Sequence, residues 1–89
     1  MGKITKEFII QNELGFHARP AALFVKTANS FQSKILVKKG KEEVDGKSII
    51  NLLTLAAAKG EKITVTAKGK DADAAIGDLK KILSEIFKG

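Results

Sequence analysis

Apolar and polar residues alternate in several segments of this chain, with the two-residue period of a strand that buries one face. The alternation predicts strands over residues 3–10, 34–38 and 61–68. A fourth strand, over residues 42–45, follows Gly40 and completes a hairpin with the second.

In two other segments apolar residues recur every three or four positions, which predicts helices with one buried face. A further helix is predicted where Ser48, a preferred N-cap residue, precedes an apolar run. The predicted helices span residues 18–29, 48–58 and 71–87. The first helix is expected to bury Ala21, Phe24, Val25 and Ala28, and the third Ala75, Leu79, Ile82, Ile86 and Phe87.

The predicted order of elements is therefore βαββαβα, in which hairpins mix with helical crossovers. Such an order favours an α+β fold with helices on one face of a single sheet. We expect a four-stranded antiparallel sheet covered on one face by three helices, an open-faced β-sandwich. The length of 89 residues predicts a single domain, over residues 1–89.

The composition is that of a folded domain, with 44% hydrophobic and 29% charged residues. The chain has no cysteine, which excludes disulfides and thiolate chemistry. No apolar run approaches the length of a membrane span, and the N-terminus lacks a signal-peptide pattern. We therefore expect a cytoplasmic protein without membrane insertion.

The net charge of +6 raises the question of nucleic-acid binding. Basic residues are spread from Lys3 to Lys88 with acids between them, and the chain has no Trp or Tyr for base stacking. This distribution favours a solvated surface that attracts acidic protein partners over a nucleic-acid site. A small basic nucleic-acid-binding domain, with affinity that collapses in added salt, stays open as an alternative.

The only histidine and the only proline, His17 and Pro20, lie three residues apart where the first long helix is predicted to begin. The backbone N–H groups of a first helical turn have no partners, and the helix dipole makes this end positive, so phosphate binds well there. Arg19 adds a planar cation suited to phosphate oxygens. Neutral histidine is a nucleophile, so the arrangement points to phosphoryl chemistry at His17.

Three motifs carry a resemblance to a known family. Residues 12–22 read NELGFHARPAA, residues 45–50 read DGKSII, and residues 59–65 read KGEKITV, with AKGKDA following at 67–72. Together they resemble the HPr proteins, the histidine-containing phosphocarriers of the bacterial phosphoenolpyruvate-dependent sugar phosphotransferase system. The likeness covers in effect the whole chain.

The resemblance implies a role for each matching residue. His17 would accept a phosphoryl group on Nδ1 from phosphorylated Enzyme I and pass it to IIA components of sugar permeases. Arg19 would contact that group. Ser48 would be phosphorylated by an ATP-dependent HPr kinase, which creates a co-repressor for a catabolite-control transcription factor. Ser48 is also a good helix N-cap, a role that alone would explain a serine there.

The predicted helix after Ser48 has only two polar residues in positions 49–58, so part of it must expose apolar side chains. An exposed apolar patch of this kind marks a partner surface, and the family uses this helix to dock its partners. The expected docking face consists of Ile49, Ile50 and Leu53, with Ala22 and Arg19 across from them.

Two features depart from the family pattern: Phe16 stands where Leu, Ile or Met is more usual, and the net charge is more basic than in many members. A regulatory paralogue, such as one from the nitrogen-related branch of the same system, is the nearest alternative. A domain that signals through Ser48 alone is disfavoured because His17 is present. A free-standing hydrolase would need a second catalytic group near His17, and the sequence offers none.

Overall fold

Strands and helices follow one another in the order βαββαβα in the computed structural model, which describes residues 2–86. This is the predicted order, and each strand lies within a residue of its predicted bounds. The elements are β1 (Gly2–Ile9), α1 (Ala18–Ala28), β2 (Lys34–Lys39), β3 (Glu42–Asp45), α2 (Ile49–Thr54), β4 (Lys62–Gly69) and α3 (Ala72–Ile86).

The four strands form one sheet in the order β1-β4-β2-β3, and every neighbouring pair is antiparallel. The register places Ile4, Ala67 and Ile35 in one row across three strands. Val65 and Val37 are paired in the same way two residues further along. Because side chains alternate between faces along a strand, these rows lie on the buried face, against the helices. The open-faced sandwich predicted from the sequence is confirmed.

The first helix buries the side chains expected of it. Ala21, Phe24 and Ala28 are fully buried, and Val25 is half-buried against the core. Spaced three or four residues apart, they form one stripe that faces the sheet.

The buried face of α3 differs in part from the prediction. Ala75 and Leu79 are buried as expected, but the stripe continues through Ile76 and Leu83, whereas Ile82 is only half-buried. Successive residues on a helix lie about 100° apart around its axis. Taking one apolar residue in place of its neighbour therefore turns the predicted buried face around the helix, although the spacing of three or four residues stays the same. Ile86 is half-buried against the core, and Phe87 lies outside the described residues.

The second helix is shorter than predicted and ends at Thr54 instead of residue 58. It stops because Ala56 takes a left-handed backbone conformation, with φ of 53°, and donates its N–H to the Leu53 carbonyl at 3.2 Å. The Lys39 ammonium donates to the carbonyl of Ala56 at 3.2 Å and satisfies it. The chain then turns so that Leu55 and Ala57 enter the core.

The Asp71 carboxylate, just before α3, holds the loop that leads into β2. It accepts the backbone N–H groups of Gln32 and Ser33, each at 2.9 Å, and the Ser33 hydroxyl. Ser33 is fully buried, so its polar groups need these partners. The Ser33 hydroxyl, followed by the Gln32 N–H, lowers the pKa of Asp71 below its ordinary value, because both stabilise the ionised form.

Replacing Asp71 tests this contact. Asp71→Asn keeps one accepting oxygen but turns an amide NH₂ toward one of the two backbone N–H donors, so we expect a lower free energy of unfolding at pH 7. The folded pKa of Asp71 is depressed, so its contribution is present above the unfolded pKa of about 3.9 and is lost as pH falls through the lower folded pKa. The difference in free energy of unfolding between wild type and Asp71→Asn, measured with urea, should therefore become smaller from pH 7 to pH 3. Asp73→Asn, at an exposed position in the first turn of α3, is the control. A gap that stays constant with pH would contradict the assignment.

Candidate functional site

His17 is the N-cap residue of α1. Its backbone is extended, with φ −92° and ψ −172°, and its carbonyl accepts the Ala21 N–H at 2.9 Å. The imidazole makes no capping hydrogen bond. The residue is half-buried, and within residues 2–86 its ring nitrogens have no hydrogen-bond partner. His17 is therefore partly accessible to solvent at the helix start, and its ring is not engaged in a structural hydrogen bond.

The first turn of α1 offers donors beside this ring. The N–H groups of Ala18 and Arg19 have no acceptor in the described part of the chain, and Pro20 has no N–H. The Arg19 side chain is exposed and forms no ion pair with any acid among the described residues. Two unpartnered backbone donors and the positive end of the helix dipole thus lie beside His17, and Arg19 adds a cation in the same helical turn.

Phe16 fixes the position of the histidine from the other side. Its side chain is buried and packs edge-to-face on Phe24 of α1, with ring centroids 5.5 Å apart and an interplanar angle of 85°. Its N–H donates to the Ala57 carbonyl at 3.1 Å. The larger side chain at this position therefore adds core packing directly beneath the site.

Gly15 allows the loop before His17 to approach the loop after α2. Its φ is +63°, and a Cβ atom built there would lie 2.3 Å from the Ala57 carbonyl oxygen. The Asn12 side-chain amide donates to the Gly15 carbonyl at 2.8 Å and closes the turn. Only glycine satisfies both the left-handed backbone and the close contact.

Three further contacts join the same two loops. The backbones of Ile10 and Glu61 are bonded at 3.0 Å, and the Gly60 N–H donates to the Ile10 carbonyl at 2.7 Å. At the surface, the Lys59 ammonium lies 3.0 Å from a Glu13 carboxylate oxygen. The histidine loop is therefore attached along its length to the segment between α2 and β4.

Ser48 is the N-cap of α2, as the sequence predicts. Its Oγ accepts the Asn51 N–H at 3.2 Å, and its own N–H donates to the Asp45 carbonyl at 3.2 Å. The Asp45 carboxylate accepts the Lys47 N–H at 2.9 Å, which places a negative charge close to the serine. The capping role of Ser48 is thus present in the structure.

The residues expected to form the docking face are exposed. Ile50 is 71% exposed, while Ile49 and Leu53 are about half that at 40% and 38%. Ala22 is also exposed on α1, which contacts α2. The structure thus brings the apolar face of α2 beside the helix that carries His17.

Two exposed leucines were missed by the sequence analysis. Leu14, three residues before His17, is 73% exposed, and Leu23 on α1 is 45% exposed. The exposure of Leu23 could have been predicted from the sequence, because this residue lies outside the buried stripe formed by Ala21, Phe24 and Ala28. Leu14 lies in an irregular loop, where no period indicates which side chains are buried.

Two other kinds of site are absent from residues 2–86. No three His, Asp or Glu side chains there come together in a way that could hold a metal ion. None of the helices described has both the length and the apolar character that a membrane span requires.

Known proteins match this chain over nearly its whole length. A family model described as the phosphorylation site of the HPr component of the phosphotransferase system matches residues 4–85. The phosphocarrier protein HPr of Borreliella burgdorferi is 38% identical over 85 residues, which cover 96% of this chain and 98% of the relative. The HPr-like protein Crh of Bacillus subtilis is 38% identical over 76 residues, 85% of this chain and 89% of the relative. The solved structure of a histidine-containing phosphocarrier protein from Mycoplasma superposes with a TM-score of 0.92 at 34% identity, covering 97% of this chain and all of that one.

The match to known phosphocarriers over nearly the whole chain, together with the histidine at a helix start, thus defines a phosphocarrier domain. The chain belongs to the HPr family of the phosphotransferase system.

The junction between the two loops can be tested at Gly15. Gly15→Ala introduces both a strained left-handed alanine and a clash with the Ala57 carbonyl oxygen. Gly40→Ala is the matched control, because Gly40 has nearly the same φ, +60°, and nothing within 4 Å of the added methyl. We expect urea unfolding to show a loss of about 1 kcal/mol for Gly40→Ala and about 3 kcal/mol for Gly15→Ala. Equal losses would show that the contact with Ala57 does not hold the loop.

Proposed function

We propose that this protein is a stoichiometric phosphoryl carrier, which accepts a phosphoryl group on His17 from phosphorylated Enzyme I and passes it to IIA components of sugar permeases. It acts in the cytoplasm as a monomer and needs no metal or cofactor of its own. The observation that carries the proposal is the position of His17, a half-buried residue at a helix start with two unpartnered backbone N–H groups beside it.

The proposed transfer is a displacement at phosphorus. The Nδ1 lone pair of His17 forms a bond to phosphorus while the nitrogen–phosphorus bond of the donor breaks, and the donor imidazole leaves with that electron pair. The Ala18 and Arg19 N–H groups and the Arg19 guanidinium stabilise the negative oxygens as they arrive. Onward transfer is the same step with this chain as the donor.

The proposed docking face suits a partner that combines an apolar patch with acidic surroundings. Ile49, Ile50 and Leu53 supply the apolar contact, and Arg19 provides a cation beside it. The net charge of +6 speeds encounter with acidic proteins and disfavours self-association. One face serving donor and acceptor in turn is consistent with a shuttle, because each partner must reach the same histidine.

We also propose that Ser48 is a regulatory phosphorylation site for an HPr kinase, and that the phosphorylated form binds a catabolite-control transcription factor. A phosphate on Oγ would replace the cap contact to Asn51, where two negative charges suit the helix dipole. The fold should therefore survive. The new charge stands beside Ile49 and Asp45, so it would repel an acidic partner from the docking face.

A purely regulatory role is the second candidate, and the relation to the HPr-like protein Crh favours it. A regulatory paralogue from the nitrogen-related branch would use the same histidine with other partners. His17 itself argues against a protein that acts through Ser48 alone.

The carrier role predicts a specific covalent change. After incubation with phosphoenolpyruvate and Enzyme I, mass spectrometry of the intact protein should show one added phosphoryl group that is lost in acid. His17→Ala should gain none, because it lacks the accepting nitrogen. Ser48→Ala, which removes the other phosphorylatable candidate, should gain the group like wild type. An acid-stable group, or one retained by His17→Ala, would contradict the proposal.

The docking face predicts a loss of binding without a loss of fold. Ile50→Glu places a charge at a 71% exposed position, so the free energy of unfolding should change by less than about 0.5 kcal/mol. Binding to Enzyme I, measured by titration calorimetry, should weaken by about tenfold or more. Ile9→Glu is the matched control: Ile9 is 49% exposed in β1, away from α2, and should bind as wild type does. If Ile50→Glu and Ile9→Glu bound Enzyme I equally well, the interface would not include α2.

A further inference from the structure

Three lysines form a row across the sheet at its end distant from His17. The register pairs Lys68 of β4 with Lys3 of β1 on one side and with Lys34 of β2 on the other. Neighbouring strands lie about 4.8 Å apart, so the row places three positive charges on adjacent strands within a span of about 10 Å. All three residues are exposed.

The row lies on the sheet face that the helices leave uncovered. The adjacent row, Ile4, Ala67 and Ile35, points into the core, and side chains alternate between faces along each strand. Lys3, Lys68 and Lys34 therefore point away from the helices. The row is six residues from the end of β1 that leads to the histidine loop, a distance of about 20 Å.

The lysine row is not neutralised within the part of the chain that the structure describes. The ion pairs found there engage Lys39, Lys59 and Lys62 instead. Like charges directly opposite each other on paired strands destabilise a sheet. This arrangement therefore opposes folding, and a bound anion would relieve the repulsion.

The next row along the same face adds hydrogen-bonding groups. The Thr5 and Thr66 hydroxyl oxygens are 3.1 Å apart, so one donates to the other and the second hydroxyl hydrogen is free to donate elsewhere. Hydroxyls beside ammonium groups suit the oxygens of a phosphate, which accept both.

The size of the ligand is limited by acids further along the face. Glu7 lies four residues from Lys3 on β1, and its row also contains Lys38 of β2 and Glu43 of β3. These two carboxylates are about 13 Å from the lysine row along the strands, and Asp45 of β3 lies one row nearer, at about 7 Å. A membrane surface or a nucleic-acid strand laid along the face would meet them, whereas a compact anion held by the lysines would not.

We propose that the face formed by Lys3, Lys34, Lys68 and Thr66 binds a small soluble compound that carries two or more phosphate groups. The site lies on a different face from α2 and at the opposite end of the sheet from His17. It therefore works independently of the proposed phosphoryl transfer, and its failure would leave that function unaffected.

Thermal unfolding with inorganic tripolyphosphate tests the proposal, with NaCl added to hold the ionic strength constant. A ligand present at ten times its Kd should raise the Tm of wild type by about 6 °C. In Lys68→Thr, which removes the middle charge, the rise should be mostly lost, and the Kd measured by calorimetry should increase about fivefold or more. Without ligand, Lys68→Thr should unfold at a higher temperature than wild type, because the repulsion is reduced.

Lys41→Thr is the matched control, since Lys41 is exposed in the turn between β2 and β3 and carries the same charge. It should keep the full rise in Tm with tripolyphosphate. Lys34→Thr repeats the test from the neighbouring strand if Lys68→Thr does not fold. If tripolyphosphate raised the Tm of all variants equally, or did not raise the Tm of wild type, the proposal would be overturned. So would tighter binding to anionic lipid vesicles or to single-stranded DNA at the same phosphate concentration.

Discussion

The close approach of Gly15 to Ala57 is the constraint on which the site depends. Neither loop has regular structure, yet the Phe16 N–H and the Ala57 carbonyl bond at 3.1 Å because no side chain stands between the backbones. Phe16 extends this contact into the core through Phe24, on the helix whose first residue follows His17. The histidine is therefore held by backbone geometry and core packing, and its ring remains free of structural hydrogen bonds.

Charge and apolar surface are separated between different parts of the molecule. The exposed apolar side chains of α2 lie beside the histidine helix, whereas the unpaired lysine row occupies the uncovered face of the sheet. A net charge counted from composition hides this separation, because acids elsewhere on the chain offset some of the lysines. Different basic residues can thus attract a protein partner and bind a small anion.

Much of the fold could be predicted because strands and helices have different hydrophobic periods, and β1, β2, β4, α1 and α3 show theirs clearly. The end of α2 could not be predicted, because the left-handed Ala56 depends on tertiary contacts: Lys39 donates to its carbonyl, and its neighbours Leu55 and Ala57 are buried in the core. At the site, residue types and order indicated His17, Arg19 and Ser48. The lysine row depends on the pairing of residues 3, 68 and 34, a long-range register that local pattern does not contain.

Proline at the third position of α1 has a consequence for how long a phosphoryl group would stay. An ordinary helix start directs three or more free N–H groups at a bound anion, but Pro20 removes one and leaves only those of Ala18 and Arg19. Fewer fixed donors mean a shallower energy well for the charged product. A shallow well keeps the free energies of the loaded and unloaded forms close together, so the group can move in either direction as the supply of donor and acceptor changes.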